Sequence, residues 1–185
     1  MTLLVGISGS LRRHSFNAGL LRAARDELPQ GSRLEIASIA EVPLYNADIE
    51  EAEGIPPNVA ALKEAIAAAD GLLLATPEYN NGIAGVFKNA IDWISRPPAD
   101  IPRIFGARPV AIIGASPGGF GTILAQNDWL PVMRTLGAQL WTGGRLMVSG
   151  AAKAFDAEGN LVDDAVRTRL RQFMDDFVAS IVSRS

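Results

Sequence analysis

The sequence contains no cysteine and a single histidine, His14. Those absences exclude disulfides, thiolate nucleophiles, Cys-ligated zinc and iron–sulfur clusters, and they leave most histidine-dependent chemistry without material. Any redox work must then be carried by a bound organic cofactor. Charge of one sign is also missing: 17 basic against 20 acidic side chains give a formal net charge of -3. Such a balance offers no field for holding a polyanion, so nucleic acid is not an expected partner. No apolar run approaches the ~18–20 residues needed to cross a bilayer; the candidates are as short as Gly71 to Ala75 and Val110 to Ala115. The opening MTLLVGISGS has no basic segment and too few apolar residues for a signal core. The expectation is a cytoplasmic protein without a membrane partner.

What is present is an ordinary globular composition, 48% hydrophobic and 20% charged over 185 residues, which predicts one domain spanning residues 1–185. Short apolar runs alternate with helical patterns throughout, the habit of a parallel sheet covered on both faces. Strands are predicted at Leu3 to Ser8, Arg33 to Ser38, Gly71 to Thr76 and Arg108 to Ala115. A fifth is predicted at Ala138 to Trp141, with Leu146 to Ser149 as a possible extension. Helices are predicted at Asn17 to Leu28, Pro57 to Ala69, Val86 to Ser95, Thr122 to Leu136 and Asp163 to Val182. Ile39 to Asn58, with its prolines and acidic residues, reads as a long surface connection. No repeat or linker divides the chain. The expected fold is a flavodoxin-like three-layer α/β sandwich with a five-stranded parallel sheet in the order 2-1-3-4-5. Its ligand site lies beyond the carboxyl ends of the strands, at the switch point between strands 1 and 3.

Three loops therefore matter. Gly9 to Asn17, GSLRRHSFN, leads into a helix and carries Ser10, Ser15 and Asn17 as potential donors, with Arg12 adding charge. Together with free helix N–H groups they predict a phosphate pocket, since a helix cap alone needs only one such residue. Gly6 and Gly9 lack the GxGxxG spacing of a dinucleotide fold, and the GxxxxGK[ST] loop is missing too. Thr76 to Gly85, TPEYNNGIAG, puts Tyr79 beside Asn80 and Asn81, where a ring can stack on a flat heterocycle and backbone groups can bond its edge. The plain alternative is a Pro/Asn/Gly turn.

Gly114 to Gly121, GASPGGFG, contains a literal G-x-S-x-G around Ser116 between a strand and a helix, the context of a hydrolase nucleophile elbow. Chain order argues against hydrolysis, because the one histidine precedes the serine and no aspartate precedes the histidine. Ser116 reads instead as a hydrogen-bonding group on a glycine loop that passes close to a ligand.

The stretches GISGSLRRHSFN, TPEYNNGIAGVFKNAIDW and ASPGGFGTILAQ resemble the NADPH-dependent FMN reductase family, which includes quinone, azo-dye and chromate reductases. The likeness runs through essentially the whole chain in order and spacing. It implies FMN with its phosphate at Ser10, Leu11, Arg12, Ser15, Phe16 and Asn17. The ring would lie against Pro77, Glu78, Tyr79 and Asn80, with Ser116 and Gly119 closing the other side. Lys88, Asn89, Asp92 and Trp93 complete the motif in structural or subunit-contact roles. The resemblance also implies a homodimer or homotetramer. Departures from the family pattern are Ala84 for proline, Phe87 for leucine, and Thr122 and Leu124 where relatives carry glycine and arginine. They bear on the electron acceptor more than on the FMN site.

The function expected is transfer of a hydride from NADPH or NADH to FMN and of electrons onward to a quinone, azo compound or oxidised metal anion in a ping-pong cycle. No side chain is assigned as catalytic acid or base, and none as a metal ligand. The alternatives are a flavodoxin-type electron carrier, disfavoured by the modest negative charge, and a non-enzymatic flavin sensor. His14 and the acidic cluster Asp48, Glu50, Glu51 and Glu53 read as solvated groups, and Trp93, Trp129 and Trp141 as core or contact residues.

Overall fold

A computed structural model describes residues 1–183 of the chain. Five strand positions form one parallel sheet: β1 (Thr2–Ser8), β2 (Ser32–Ala37), β3 (Gly71–Ala75), and, beyond a small hairpin of β4 (Glu78–Tyr79) and β5 (Gly82–Ile83), β6 (Pro109–Ala115), then β7 (Gln139–Leu140) with β8 (Leu146–Val148). Both β7 and β8 pair in parallel with β6, one with its start and the other with its end. The spatial order is β2-β1-β3-β6 followed by the β7/β8 position. Counted by strand position, this is the expected 2-1-3-4-5 order.

Period-two alternation explains why the sheet is covered on both sides. Leu4, Leu73 and Ala75 point into one core with helices α1 (Phe16–Asp26) and α8 (Asp164–Val182), where Leu20, Leu21, Phe173 and Phe177 are buried. Val5, Ile7, Leu72 and Leu74 point into the other. There they meet α3 (Pro57–Ala68), α4 (Gly85–Ile94) and α6 (Ile123–Thr135) through Ile66, Phe87, Ile91 and Trp129. β3 is buried at every residue, as its central place requires. β2 at the edge is largely exposed.

Four features depart from the sequence expectations. The connection after β2 is not all loop: Asn46 caps a helix, α2 (Ala47–Glu53), that has no buried residue. Short helices α5 (Ile101–Ile104) and α7 (Ala151–Ala154) occupy segments too brief to show a period. The turn after β3 is the β4–β5 hairpin, closed by Asn80 and Asn81 at φ 51° and 63°. Two successive left-handed residues match a hairpin to the right-handed twist of its strands, and Asn tolerates that conformation. Finally, the fifth strand is split because the chain wraps the Trp141 ring. A Cβ on Gly143 or Gly144 would come within 2.8 Å of that indole, which packs on Phe173 and Phe177 at 4.9 and 5.4 Å between centroids.

Candidate functional site

Register brings the three loops together. Ser8 pairs with Ala75, and Ala75 pairs with Ile113, so β1 and β3 end level, β6 runs two residues further to Ala115, and the three loops leave from the same edge of the sheet. Backbone bonds continue the alignment past the strands, from Gly9 N–H to the Ala75 carbonyl at 2.9 Å and from Thr76 N–H to the Ile113 carbonyl at 2.8 Å.

In the first loop Ser15 caps α1. Its hydroxyl accepts from Ala18 N–H at 3.3 Å, and its carbonyl accepts from Gly19 N–H at 2.9 Å. The Ser15 side chain is buried, and its hydroxyl, an acceptor in this cap, still carries a proton it can donate. The first-turn N–H groups of Phe16 and Asn17 have no carbonyl one turn back inside the helix. No acidic side chain occupies that first turn. The Arg12 guanidinium lies 4.6 Å over the Phe16 ring, and among the described residues it has no carboxylate partner. An exposed, unpaired cation at an open helix start suits a phosphate group.

Asn17 has a different position from its hydroxyl-bearing neighbours. Its amide is buried and clamps the backbone of Ala115, donating to the carbonyl at 3.0 Å and accepting from the N–H at 2.9 Å. The side chain thus ties the first loop to the end of β6, leaving its backbone N–H as the group that faces the helix start. Ser10 accepts weakly from Arg12 N–H at 3.4 Å and lies 3.5 Å from the Tyr79 hydroxyl, which brings the first loop against the hairpin. Leu11 is exposed beside it. His14 is exposed, with Nδ1 3.2 Å from the Glu158 carbonyl.

In the second loop Pro77 is buried, Tyr79 is half-exposed, and Asn80 sits at the hairpin tip. Glu78 sends its carboxylate to the start of α6, where Oε2 accepts from Leu124 N–H at 2.8 Å and Ala125 N–H at 3.0 Å. That helix has no side-chain cap from Thr122, which holds a left-handed φ of 70°. Two helix starts therefore border the site. One is open to an anion, and the other already holds a carboxylate.

In the third loop Ser116 is fixed by its backbone, N–H to the Val148 carbonyl and carbonyl from the Ala151 N–H, both at 3.0 Å. The first glycine of the G-x-S-x-G pattern has a packing reason: a Cβ on Gly114 would fall 1.9 Å from Thr122 Oγ1 and 2.6 Å from the Thr76 carbonyl. Gly118 and Gly119, by contrast, face open space, and Phe120 is 76% exposed between glycines. A cavity of about 320 Å³ lies elsewhere, between α6 and the split edge strand, lined by Ile112, Leu130, Trp141, Arg145 and Met147 among others.

The remaining motif residues hold a strap across α4. Asn89 donates to the Pro43 carbonyl at 2.8 Å and accepts from Tyr45 N–H at 2.8 Å, while the Trp93 indole also donates to Pro43, at 2.9 Å. Lys88 pairs with Asp92 at 2.6 Å one turn away. Glu50, one member of the acidic cluster, is not solvated: it accepts from Arg96 Nε at 2.8 Å and from the Tyr45 hydroxyl at 2.9 Å. The hydrogen bond from Arg96 holds its carboxyl below the usual range. Among the described residues no group of three or more acidic or histidine side chains is placed to hold a metal ion.

Sequence reasoning did not find Glu78 as a cap, Asn17 as a clamp, or the buried contact between Thr76 and Trp129, whose indole donates to the Thr76 hydroxyl at 3.1 Å. Each joins residues far apart in the chain, and no local pattern marks them.

Comparison with known proteins gives the same direction. The profile of the NADPH-dependent FMN reductase family matches residues 2–153. An NAD(P)H-dependent FMN reductase of Pseudomonas aeruginosa is 47% identical over 169 residues, 91% of this chain and 89% of that protein. A 2-hydroxy-1,4-benzoquinone reductase of a Burkholderia species is 38% identical over 178 residues, covering 96% and 95%. The solved structure of FerB, a flavoenzyme NAD(P)H:(acceptor) oxidoreductase from Paracoccus denitrificans, superposes with a TM-score of 0.87 at 31% identity, covering 99% of this chain and 98% of that one.

Proposed function

The chain belongs to the NADPH-dependent FMN reductase family, and on that premise we propose that it is an FMN-dependent NAD(P)H oxidoreductase that reduces quinones. The observation that carries this reading is the open start of α1 with the unpaired Arg12 beside it, set next to the exposed ring of Tyr79. Groups suited to a phosphate and to a flat ring meet there, with the Tyr79 hydroxyl 3.5 Å from Ser10 Oγ.

In this reading Arg12, the hydroxyls of Ser10 and Ser15, and the N–H groups of Leu11, Phe16 and Asn17 hold the FMN phosphate. Pro77, Glu78, Tyr79 and Asn80 line one side of the isoalloxazine, and Ser116 and Gly119 the other. The chemistry supplied by bound FMN is uptake of a hydride from NADPH or NADH and delivery of two electrons to the acceptor. The chain's residues orient the rings and admit donor and acceptor in turn, a ping-pong order, and no side chain need move a proton as obligate acid or base. The exposed apolar and aromatic side chains on these loops, Leu11, Tyr79 and Phe120, offer surface to a flat ring, the α6 start is filled by Glu78, and the exposed cations Arg12 and Arg13 belong to the phosphate loop. The relative named as a benzoquinone reductase supports quinones over azo compounds and oxidised metal anions. No helix among the described residues is long and apolar enough to cross a membrane. We place the enzyme in the cytoplasm as a single-domain protein working as a homodimer or homotetramer.

The test is a visible spectrum of the purified protein supplied with FMN, before and after anaerobic NADPH, followed by steady-state NADPH oxidation with a benzoquinone. A bound flavin that bleaches, and turnover with quinone, are expected. A protein that takes up no FMN overturns the reading. One that binds FMN but oxidises no NADPH without a partner reductase is an electron carrier or sensor.

A further inference from the structure

We infer that Trp129 is a positioning residue for the flavin-facing turn and acts through Thr76. The inference rests on the reading that the FMN ring lies against Pro77 to Asn80. Both side chains are fully buried beneath that turn. The Trp129 indole N–H donates to Thr76 Oγ1 at 3.1 Å, and Thr76 Oγ1 donates to the Pro77 carbonyl at 3.0 Å. The direction of both bonds is dictated by chemistry. An indole N–H can only donate and a carbonyl can only accept, so the threonine hydroxyl receives from Trp129 and its single proton goes to Pro77. Without the indole that proton would be free to turn elsewhere.

The consequence reaches the site through the peptide plane. The Pro77–Glu78 peptide is planar, with its N–H opposite its carbonyl. Holding the Pro77 carbonyl toward the core therefore aims the Glu78 N–H the other way, where the ring edge is proposed to lie. The threonine itself cannot drift, because its own N–H donates to the Ile113 carbonyl at 2.8 Å. The indole is fixed in turn by Phe87, edge-on at 4.9 Å between centroids and 70° between planes. Phe87 is wedged under the first loop, where a Cβ on Gly9 would fall 2.1 Å from the Phe87 ring and 2.8 Å from Pro77. Trp129 thus sits under the junction of the phosphate loop and the ring loop, and its one polar atom sets the height and tilt of the latter.

The experiment compares wild type with Thr76→Val, Thr76→Ser, Trp129→Phe and the Thr76→Val/Trp129→Phe double variant. Three quantities are measured: FMN affinity of the apoprotein, midpoint potential of the bound flavin, and urea stability of the apoprotein. Thr76→Val and Trp129→Phe are each expected to weaken FMN binding by about three- to tenfold, the effect of one buried hydrogen bond, and to shift the potential. Thr76→Ser should restore both to near wild type. The double variant should bind no more weakly than Thr76→Val alone, because Trp129 works through the hydroxyl. The inference is overturned if Thr76→Val and Trp129→Phe lower apoprotein stability while affinity and potential stay at wild-type values, or if their effects on affinity add. If wild type itself takes up no FMN, the proposed function falls, and this inference with it.

Discussion

The Glu78 carboxylate caps the start of α6, with Oε2 2.8 Å from the N–H of Leu124, 46 positions further along the chain. A helix start is a place for negative charge, and here the protein fills it with its own. Of the two helix starts bordering the loops only that of α1 stays free of a carboxylate, and it is the one to which the proposed FMN phosphate is assigned.

Removing that cap has a stated cost. Glu78→Ala is expected to lower stability by about 1–2 kcal/mol, the usual effect of losing a helix N-cap. Urea denaturation of the apoprotein would read it. Unchanged stability would show that solvent satisfies Leu124 and Ala125 equally well.

Arg12→Ala should separate phosphate from ring recognition. Loss of a charge-assisted contact of about 1.5–3 kcal/mol corresponds to at least tenfold weaker FMN binding. Riboflavin, which lacks the phosphate, should bind wild type and variant alike. Equal losses for both ligands in a flavin titration would move Arg12 away from the phosphate.

Asn17→Ala leaves the Ala115 N–H and carbonyl buried without their partners. A destabilisation of about 1–3 kcal/mol is expected, with hydrogen exchange speeding up first at the end of β6. Asn17→Asp should also destabilise, since a carboxylate cannot donate to the Ala115 carbonyl. Thermal melts of both variants check this, and a stable Asn17→Asp would mean that the clamp contributes little.

Acid should loosen the strap over α4. The hydrogen bond from Arg96 holds Glu50 below its ordinary range. A carboxyl with a lowered folded pKa contributes stability that is complete above the unfolded value, near about 4.3, and is lost as pH falls through the folded one. Exchange protection of residues 41–54 should therefore be flat from neutrality down to that region and fall below it. Glu50→Gln should remove the fall, and a variant that keeps it would assign the titration to another group.

The layered fold was legible in the sequence because its signals are local. The continuous apolar run of β3 marks a strand buried on both faces, and Val166, Leu170, Phe173 and Phe177 mark one face of α8. The break in the fifth strand was harder to see, since it depends on where the Trp141 ring packs against Phe173 and Phe177. The hairpin at Asn80 and Asn81 was visible as a turn, but its left-handed residues and short ladder required the backbone itself.

By itself the sequence determined that a cofactor must do the redox chemistry, since it has no cysteine and one histidine, and its alternation of strand and helix patterns pointed to three loops that the register of β1, β3 and β6 places side by side. Only the tertiary structure decided how those loops are tied. Asn17 meets Ala115 across 98 positions, Glu78 meets Leu124 across 46, and Thr76 meets Trp129 across 53. Hydrogen bonds act over about 3 Å, so which donors remain for a ligand is settled only when folding has brought every competing partner into reach.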